Sequence, residues 1–282
     1  MLELNAATTL TIGSDLLVHR LGFGAMRLTG GSAGPEQHVS IAIARRAVEL
    51  GVTFIDTADS YDFGTNEELL AAALHPYRPG IVIATKGGQV NLGHEWIPCG
   101  RPEYLRQQAE LSLHRLRLRL DRIDLYQLHR VDPTVQLADQ IGALRHLQDE
   151  GKVRHVGLSQ VSIDQLTEAE KITPIVSVQN RYNLTDRASE DVLEYCERRG
   201  IAFIPWLPVA PTVTAARSGD PISAVASRLG VTRIQVALAW LLHRSPVMLP
   251  IPGTSSRAHL EENVAAASIS LTADDFAELS AT

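Results

Sequence analysis

The sequence predicts an α/β fold, a (β/α)8 or TIM-type barrel of eight parallel strands. Three observations predict it. Eight short apolar runs alternate with stretches of helical periodicity along the 282 residues. Alternation of that kind implies a parallel sheet with crossover helices. Eight such units in this length favour a closed barrel over an open sheet. No linker or break in composition divides the chain, so residues 1–282 read as a single domain.

The elements follow in order. Thr8 to Ile12 and Leu16 to His19 flank Gly13-Ser14-Asp15, the pattern of a β-hairpin. Leu21 to Met26 is the expected first barrel strand. Ile41, Ala44, Ala47, Val48 and Leu50 repeat at helical spacing, and Gly51 stops that helix. Thr53 to Thr57 is the second strand and Asn66 to Leu74 a short helix. Ile81 to Thr85 is the third strand, and Gly87 to Gly100 reads as a long loop. Pro102 opens a helix whose end, Leu111 to Leu120, alternates leucine with basic residues. Leu113, Leu116 and Leu120 still share a helical face, with Arg115, Arg117 and Arg119 expected on a solvated surface. The fourth strand runs from Ile123 to His129, and a helix from Thr134 to Glu150. Then come strand His155 to Ser159, helix Ser162 to Lys171, strand Ile175 to Gln179 and helix Ser189 to Arg199. Ala202 to Trp206 is the seventh strand. Helices are expected over Ile222 to Leu229 and Ile234 to Leu242, and Val247 to Ile251 is the eighth strand. His259 to Ala266 and the tail Thr272 to Leu279 close the chain as helices.

Composition narrows the function. The net charge of −6 and pI near 5.9 argue against a nucleic-acid partner, which calls for a basic face. Ten histidines without HxH or HExxH spacing argue against a metal site. Cys99 and Cys196 form no CxxC pair and suit a reducing cytosol. The first residues lack the basic start and apolar core of a signal peptide, and no apolar run reaches the roughly 20 residues that span a bilayer. A cytoplasmic protein without membrane contact is expected.

Chemistry gathers at strand ends. Thr53 to Tyr61 begins as a buried strand and empties into a polar loop, with Asp56 at the strand end and Tyr61 beyond. A phenol with an ordinary pKa near 10 needs a nearby cation to give its proton readily at neutral pH. Lys86 and His129 end two later strands, and a barrel brings such ends to one face. Gly22-x-Gly24 opens like a dinucleotide-binding fingerprint, but Arg27 replaces its third glycine and no acidic residue closes a second strand. These glycines instead suit a close approach of ligand to backbone.

DTADSY with Gly64 and Glu67, then IATKGG, DLYQLH, GLSQ, VQNRYN, FIPWLP and IPGTSSRAHLEEN, resembles the aldo-keto reductases over nearly the whole chain. The resemblance implies a barrel whose bottom the N-terminal hairpin caps, and carbonyl reduction with a nicotinamide cofactor. It makes Tyr61 the general acid, Lys86 the group that favours its phenolate, Asp56 the partner of Lys86, and His129 the donor that orients the carbonyl. It places Ser159 and Gln179 on the nicotinamide carboxamide and Trp206 against the ring. Gln160 stands where the family usually shows Asn. Gly24, Ala25, Met26 and Asp56 are likewise assigned to cofactor contact. Leu207, Pro208 and Val209 with Gly253, Thr254 and Ser255 look like two phosphate-gripping loops, the second opening a helix. Glu262 and Asn263 match adenine-contacting positions. Arg257 is the expected partner of a 2′-phosphate, while His259 occupies the position that often carries the phosphate-binding arginine. NADPH is therefore favoured, with NADH as an alternative.

Phe23, Met26, Trp96 and Trp206, with Tyr61 and His129, are the expected pocket walls. Their apolar character suits an aromatic or aliphatic carbonyl without selecting one. Two alternatives stand beside a reductase: a regulatory cofactor-binding protein on the same fold, and an alcohol dehydrogenase running the same chemistry in reverse. Oligomeric state is not legible in the sequence.

Overall fold

A computed structural model of the chain describes residues 8–30, 34–93, 95–117, 122–214 and 220–281. Strands β1 (Thr9–Ile12) and β2 (Leu16–His19) pair as an antiparallel hairpin. β3 (Phe23–Gly24) leads into a 3-10 turn over Ala25–Leu28 and then α1 (Gln37–Glu49). β4 (Phe54–Asp56), α2 (Thr65–Leu74) and β5 (Val82–Gly87) follow. β6 (Gln89–Asn91) and β7 (Trp96–Pro98) form a second hairpin. The chain continues through α3 (Pro102–Leu116), β8 (Ile123–Leu128), α4 (Leu137–Asp149), β9 (Val153–Ser159) and α5 (Ile163–Glu170). Then come β10 (Ile175–Gln179), α6 (Glu190–Arg199), β11 (Ala202–Phe203), α7 (Pro211–Thr214), α8 (Pro221–Leu229) and α9 (Arg233–Arg244). α10 (Arg257–Ala265) and α11 (Ala273–Ser280) end it.

Seven strands form one parallel sheet in the order β11-β10-β9-β8-β5-β4-β3. The segment from Val247 to Ile251, expected as an eighth strand, makes only an isolated parallel bridge from Met248 to Phe203. Pro246, Pro250 and Pro252 withhold the N–H groups that a regular ladder needs. Its backbone still reaches both edges of the sheet. Phe203 N–H donates to Val247 O at 2.9 Å, Leu249 N–H to Phe203 O at 2.8 Å, and Gly22 N–H to Pro250 O at 2.9 Å.

Several expected boundaries move. The first barrel strand stops at Gly24, because Ala25 and Met26 enter the 3-10 turn. The seventh stops at Phe203, short of Pro205, and Trp206 keeps an isolated bridge to Arg181. The stretch from Gly87 to Gly100 is not all loop, since it contains the β6–β7 hairpin. The helix expected from Thr134 begins at Leu137. The expected end of α3 at Leu120, including Arg119, lies outside the described residues.

Strand parity divides the core. Phe54, Val82, Ala84, Leu125, Ala202 and Ile204 face the concave side of the sheet and pack with Ile12, Leu16 and Val18 of the first hairpin and with Leu249 and Ile251. Ile55, Ile83, Tyr126, Val156, Leu158, Val178 and Phe203 point the other way, into the layer shared with the helices. Side chains two residues apart on a strand share a face. Asp56 therefore follows Phe54 inward, Lys86 follows Ala84, and Gln127 and His129 follow Leu125. The same parity sends Trp206 after Ile204.

Candidate active site

The inward face ends in polar residues at the carboxyl ends of β4, β5, β8, β9 and β10. Backbone bonds prolong the ladder there. Thr57 N–H donates to Ala84 O, Asp59 N–H to Lys86 O, and His129 N–H to Gly87 O. These bonds hold the strand ends and the Tyr61 loop in register.

Lys86 is fully buried, and all three of its donors are used. Nζ lies 2.6 Å from Asp56 Oδ2, 2.8 Å from Thr57 O and 3.1 Å from the Tyr61 hydroxyl. Asp56 Oδ1 accepts from Gln179 Nε2 at 2.8 Å and Gln127 Nε2 at 3.3 Å. A buried ion pair needs such flanking hydrogen bonds to offset the loss of water. Burial pulls the Lys86 pKa down, but Asp56 and the Tyr61 hydroxyl outweigh it and leave it above the ordinary value. Burial pushes the Tyr61 phenol up, and Lys86 offsets only part of that. The expectation that Lys86 favours the phenolate thus describes the sign of its contribution, while the net result is a phenol that keeps its proton.

His129 is buried, and its Nδ1 lies 3.3 Å from Ser60 Oγ. Burial first, then the charges of Lys86 and Arg130, hold its pKa well below the usual histidine value, so the imidazole is neutral. Its ring meets Tyr61 edge-on at 5.8 Å, and Trp96 lies 6.4 Å from Tyr61 and 6.3 Å from His129. Trp96 stands on β7, 37% exposed, at the open side of this aromatic group. Phe23 is placed differently from the expected pocket wall. It pairs with Ile55 and packs into the outer layer. Met26 is exposed on the 3-10 turn.

Ser159 Oγ donates to Gln179 O at 2.9 Å and accepts from Arg130 Nη1 at 3.0 Å. Gln160 has a left-handed backbone, φ 55°, a region that Asn tolerates more readily. Its Oε1 accepts from the Trp206 indole at 2.5 Å and from Arg181 N–H at 2.8 Å. Gln160 thus fixes the edge of Trp206. Leu207 is also left-handed, and its carbonyl accepts from Asn183 Nδ2 at 3.0 Å. Pro208 is buried and Val209 half-buried beside it.

The segment Gly253-Thr254-Ser255 runs into α10, where Ser256 caps the helix by accepting from His259 N–H. A β-carbon on Gly253 would lie 2.7 Å from Gly24 O, so the two glycine backbones touch. Arg257 is 71% exposed and pairs with Glu261 at 3.2 Å, and Arg46 holds the same carboxylate at 2.9 Å. The Glu262 carboxylate accepts from the hydroxyl of Thr232, the N-cap of α9. Asn263 is buried and His259 exposed. A run of small residues opening onto a helix N-terminus, with an exposed arginine, is a donor set that suits a phosphate-bearing cofactor.

The structure thus joins Asp56, Tyr61, Lys86, Ser159 and Gln179 in one hydrogen-bonded network and sets His129 edge-on against Tyr61. The Gln160–Trp206 pair and the 253–263 segment form separate groups. Gln127 and Arg130 belong to the site and were not singled out by the sequence. Gln127 was legible by parity, two residues before His129. Among the described residues no three His, Cys, Asp or Glu side chains gather as a metal site.

The parallel strands and the site at their carboxyl ends place the chain in one family of oxidoreductases. The aldo/keto reductase family model matches residues 20–282. The chain belongs to the aldo/keto reductase family and is an NAD(P)H-dependent oxidoreductase. It is 50% identical to an uncharacterized oxidoreductase of Schizosaccharomyces pombe over 98% of this chain and 90% of that one. It is 39% identical to pyridoxine 4-dehydrogenase of Escherichia coli over 94% of this chain and 95% of the other. Among solved structures, an aldo-keto reductase from Klebsiella pneumoniae in complex with NADPH matches with a TM-score of 0.81 at 28% identity, covering 96% of this chain and 93% of that one.

Proposed function

We propose that this chain reduces aldehydes or ketones to alcohols with NADPH, with Tyr61 as general acid supported by Asp56, Lys86 and His129. One observation carries the reading. Buried Lys86 bridges the Asp56 carboxylate at 2.6 Å and the Tyr61 hydroxyl at 3.1 Å. The nicotinamide, when bound, supplies hydride to the carbonyl carbon. The phenol, kept protonated by burial, gives its proton to the carbonyl oxygen, and Lys86 then stabilises the phenolate left behind. With Ser60 donating to Nδ1, the neutral His129 keeps Nε2–H as a donor for that oxygen.

In this reading Ser159 and Gln179 hold the carboxamide, and Trp206, set by Gln160, covers the ring. Gly24, Ala25 and Met26 line the lip beside Gly253. Leu207 to Val209 and Gly253 to Ser255 hold the phosphates. Arg257 takes the 2′-phosphate, with His259, Glu262 and Asn263 towards the adenine. The NADPH complex of the Klebsiella neighbour supports this choice of cofactor. We also read the chain as one domain, a closed (β/α)8 barrel with its first hairpin at the bottom. The bonds from the 247–251 segment to Phe203 and Gly22 support closure. The reverse reaction is the second reading, because the Escherichia coli relative is named a dehydrogenase.

The test is loss of NADPH absorbance with a panel of aldehydes, including an activated aromatic one, for wild type and Tyr61→Phe. The expected result is turnover that falls at least about 100-fold in the variant, with cofactor binding retained. A variant that turns over like wild type would remove Tyr61 from the role of acid.

A further inference from the structure

Two cations stand beside Tyr61, and among the described residues only one has a carboxylate partner. Lys86 is paired with Asp56. Arg130, two residues past the end of β8, has none among them. Its Nη1 donates to His129 O at 2.6 Å and to Ser159 Oγ at 3.0 Å. Its Nε and Nη2 donate to no group among the described residues, and no acidic side chain there pairs with it. The guanidinium is half-buried. A partly desolvated cation without an anion carries a cost, and an anion that arrives with a ligand recovers it.

The charge of Arg130 reaches the reacting groups: after burial and Lys86 it adds to the lowering of the His129 pKa, and it opposes part of the burial that raises Tyr61. The cofactor phosphates are poorly placed to be its partner. The loops proposed to hold them follow β11 and the 247–251 segment, whereas Arg130 stands between β8 and β9, in the middle of the strand order. The substrate remains as the source of the anion. We infer that Arg130 determines specificity, and that the carbonyl compounds this site favours carry a carboxylate or phosphate close to the reacting carbon. The inference rests on the reductase reading and names its substrate class.

The test compares 4-carboxybenzaldehyde with its methyl ester, two aldehydes of similar reactivity that differ in charge. Wild type should show a higher kcat/KM for the acid, and added salt should erode that preference. Arg130→Met should lower kcat/KM for the acid by about 10- to 100-fold more than for the ester, the range for a lost charge-assisted hydrogen bond. Arg130→Lys should restore part of the loss. Equal losses on both aldehydes with a raised KM for NADPH would overturn the inference and leave Arg130 as a support for Ser159. So would wild type showing no preference for the acid, a result that needs no folded variant. Wild type turning over neither aldehyde would sink the reductase reading itself, and the inference with it.

Discussion

Asp59 stands two residues before Tyr61, only 4% exposed, and neither carboxyl oxygen makes a well-formed hydrogen bond. The adjacent Ser60 offers its amide and hydroxyl weakly. Burial, then the charge of Glu67, pushes the carboxyl up to about 8, with Arg115 offsetting only part. Asp59 is therefore protonated at neutral pH in the folded chain. The unfolded chain releases that proton near the ordinary value of 3.8. Between those two values the folded state holds one more proton, so stability falls as pH rises, by at most about 1.4 kcal/mol per pH unit, and levels off above 8. Asp59→Asn removes this titration. Thermal melts should place the variant close to wild type near pH 4 and clearly above it at pH 8. A difference in Tm that does not change with pH would mean that Asp59 does not titrate in this window.

At the scale of elements, the period of two was legible in the sequence, and it positions most of the site. Phe54-Ile55-Asp56 and Ala84-Thr85-Lys86 each declare which residue turns inward once the apolar faces are known. What was not legible depends on partners distant in sequence. Arg115 was expected on a solvated face, yet its side chain is 13% exposed and bonded to the fully buried Glu67 at 2.6 Å, because a buried carboxylate needs a counter-charge. Trp96 reaches the site because β7 pairs with β6, and the intervening loop residues carry little strand propensity to announce it. α10 shows both sides. A helix opening after the Gly253-Thr254-Ser255 loop was readable, but the sharing of Glu261 between Arg257 and Arg46 was not. That sharing makes Arg257 removable, since Arg46 still holds Glu261. Arg257→Ala should raise the KM for NADPH about 10-fold or more while leaving that for NADH little changed. Equal changes for the two cofactors would reject its pairing with a 2′-phosphate.

At the scale of the whole molecule, the proposed closure depends on a segment that is a poor strand. Pro250 interrupts Val247 to Ile251, Pro246 and Pro252 bracket it, and only three backbone hydrogen bonds tie it to Phe203 and Gly22. Close backbone packing has to supplement so few bonds, and it is found where Gly24 meets Gly253. A methyl group on Gly253 would fall 2.7 Å from Gly24 O, a backbone atom that cannot swing aside. Gly253→Ala therefore forces the first and last units of the barrel apart. Overpacking of this kind costs about 1–3 kcal/mol, which corresponds to a fall in Tm of roughly 2–10 °C in a chain of this size. The same displacement opens the loop that leads into α10, so cofactor affinity should weaken together with stability. Ser255→Ala is the control for stability, because Ser255 lies in the same loop but is exposed and leaves the backbone contact intact. If Gly253→Ala melts with wild type and binds NADPH as tightly, the two ends of the sheet are not held together at this contact. If both quantities fall while Ser255→Ala melts with wild type, one backbone contact joins the closure of the fold to the binding of the cofactor.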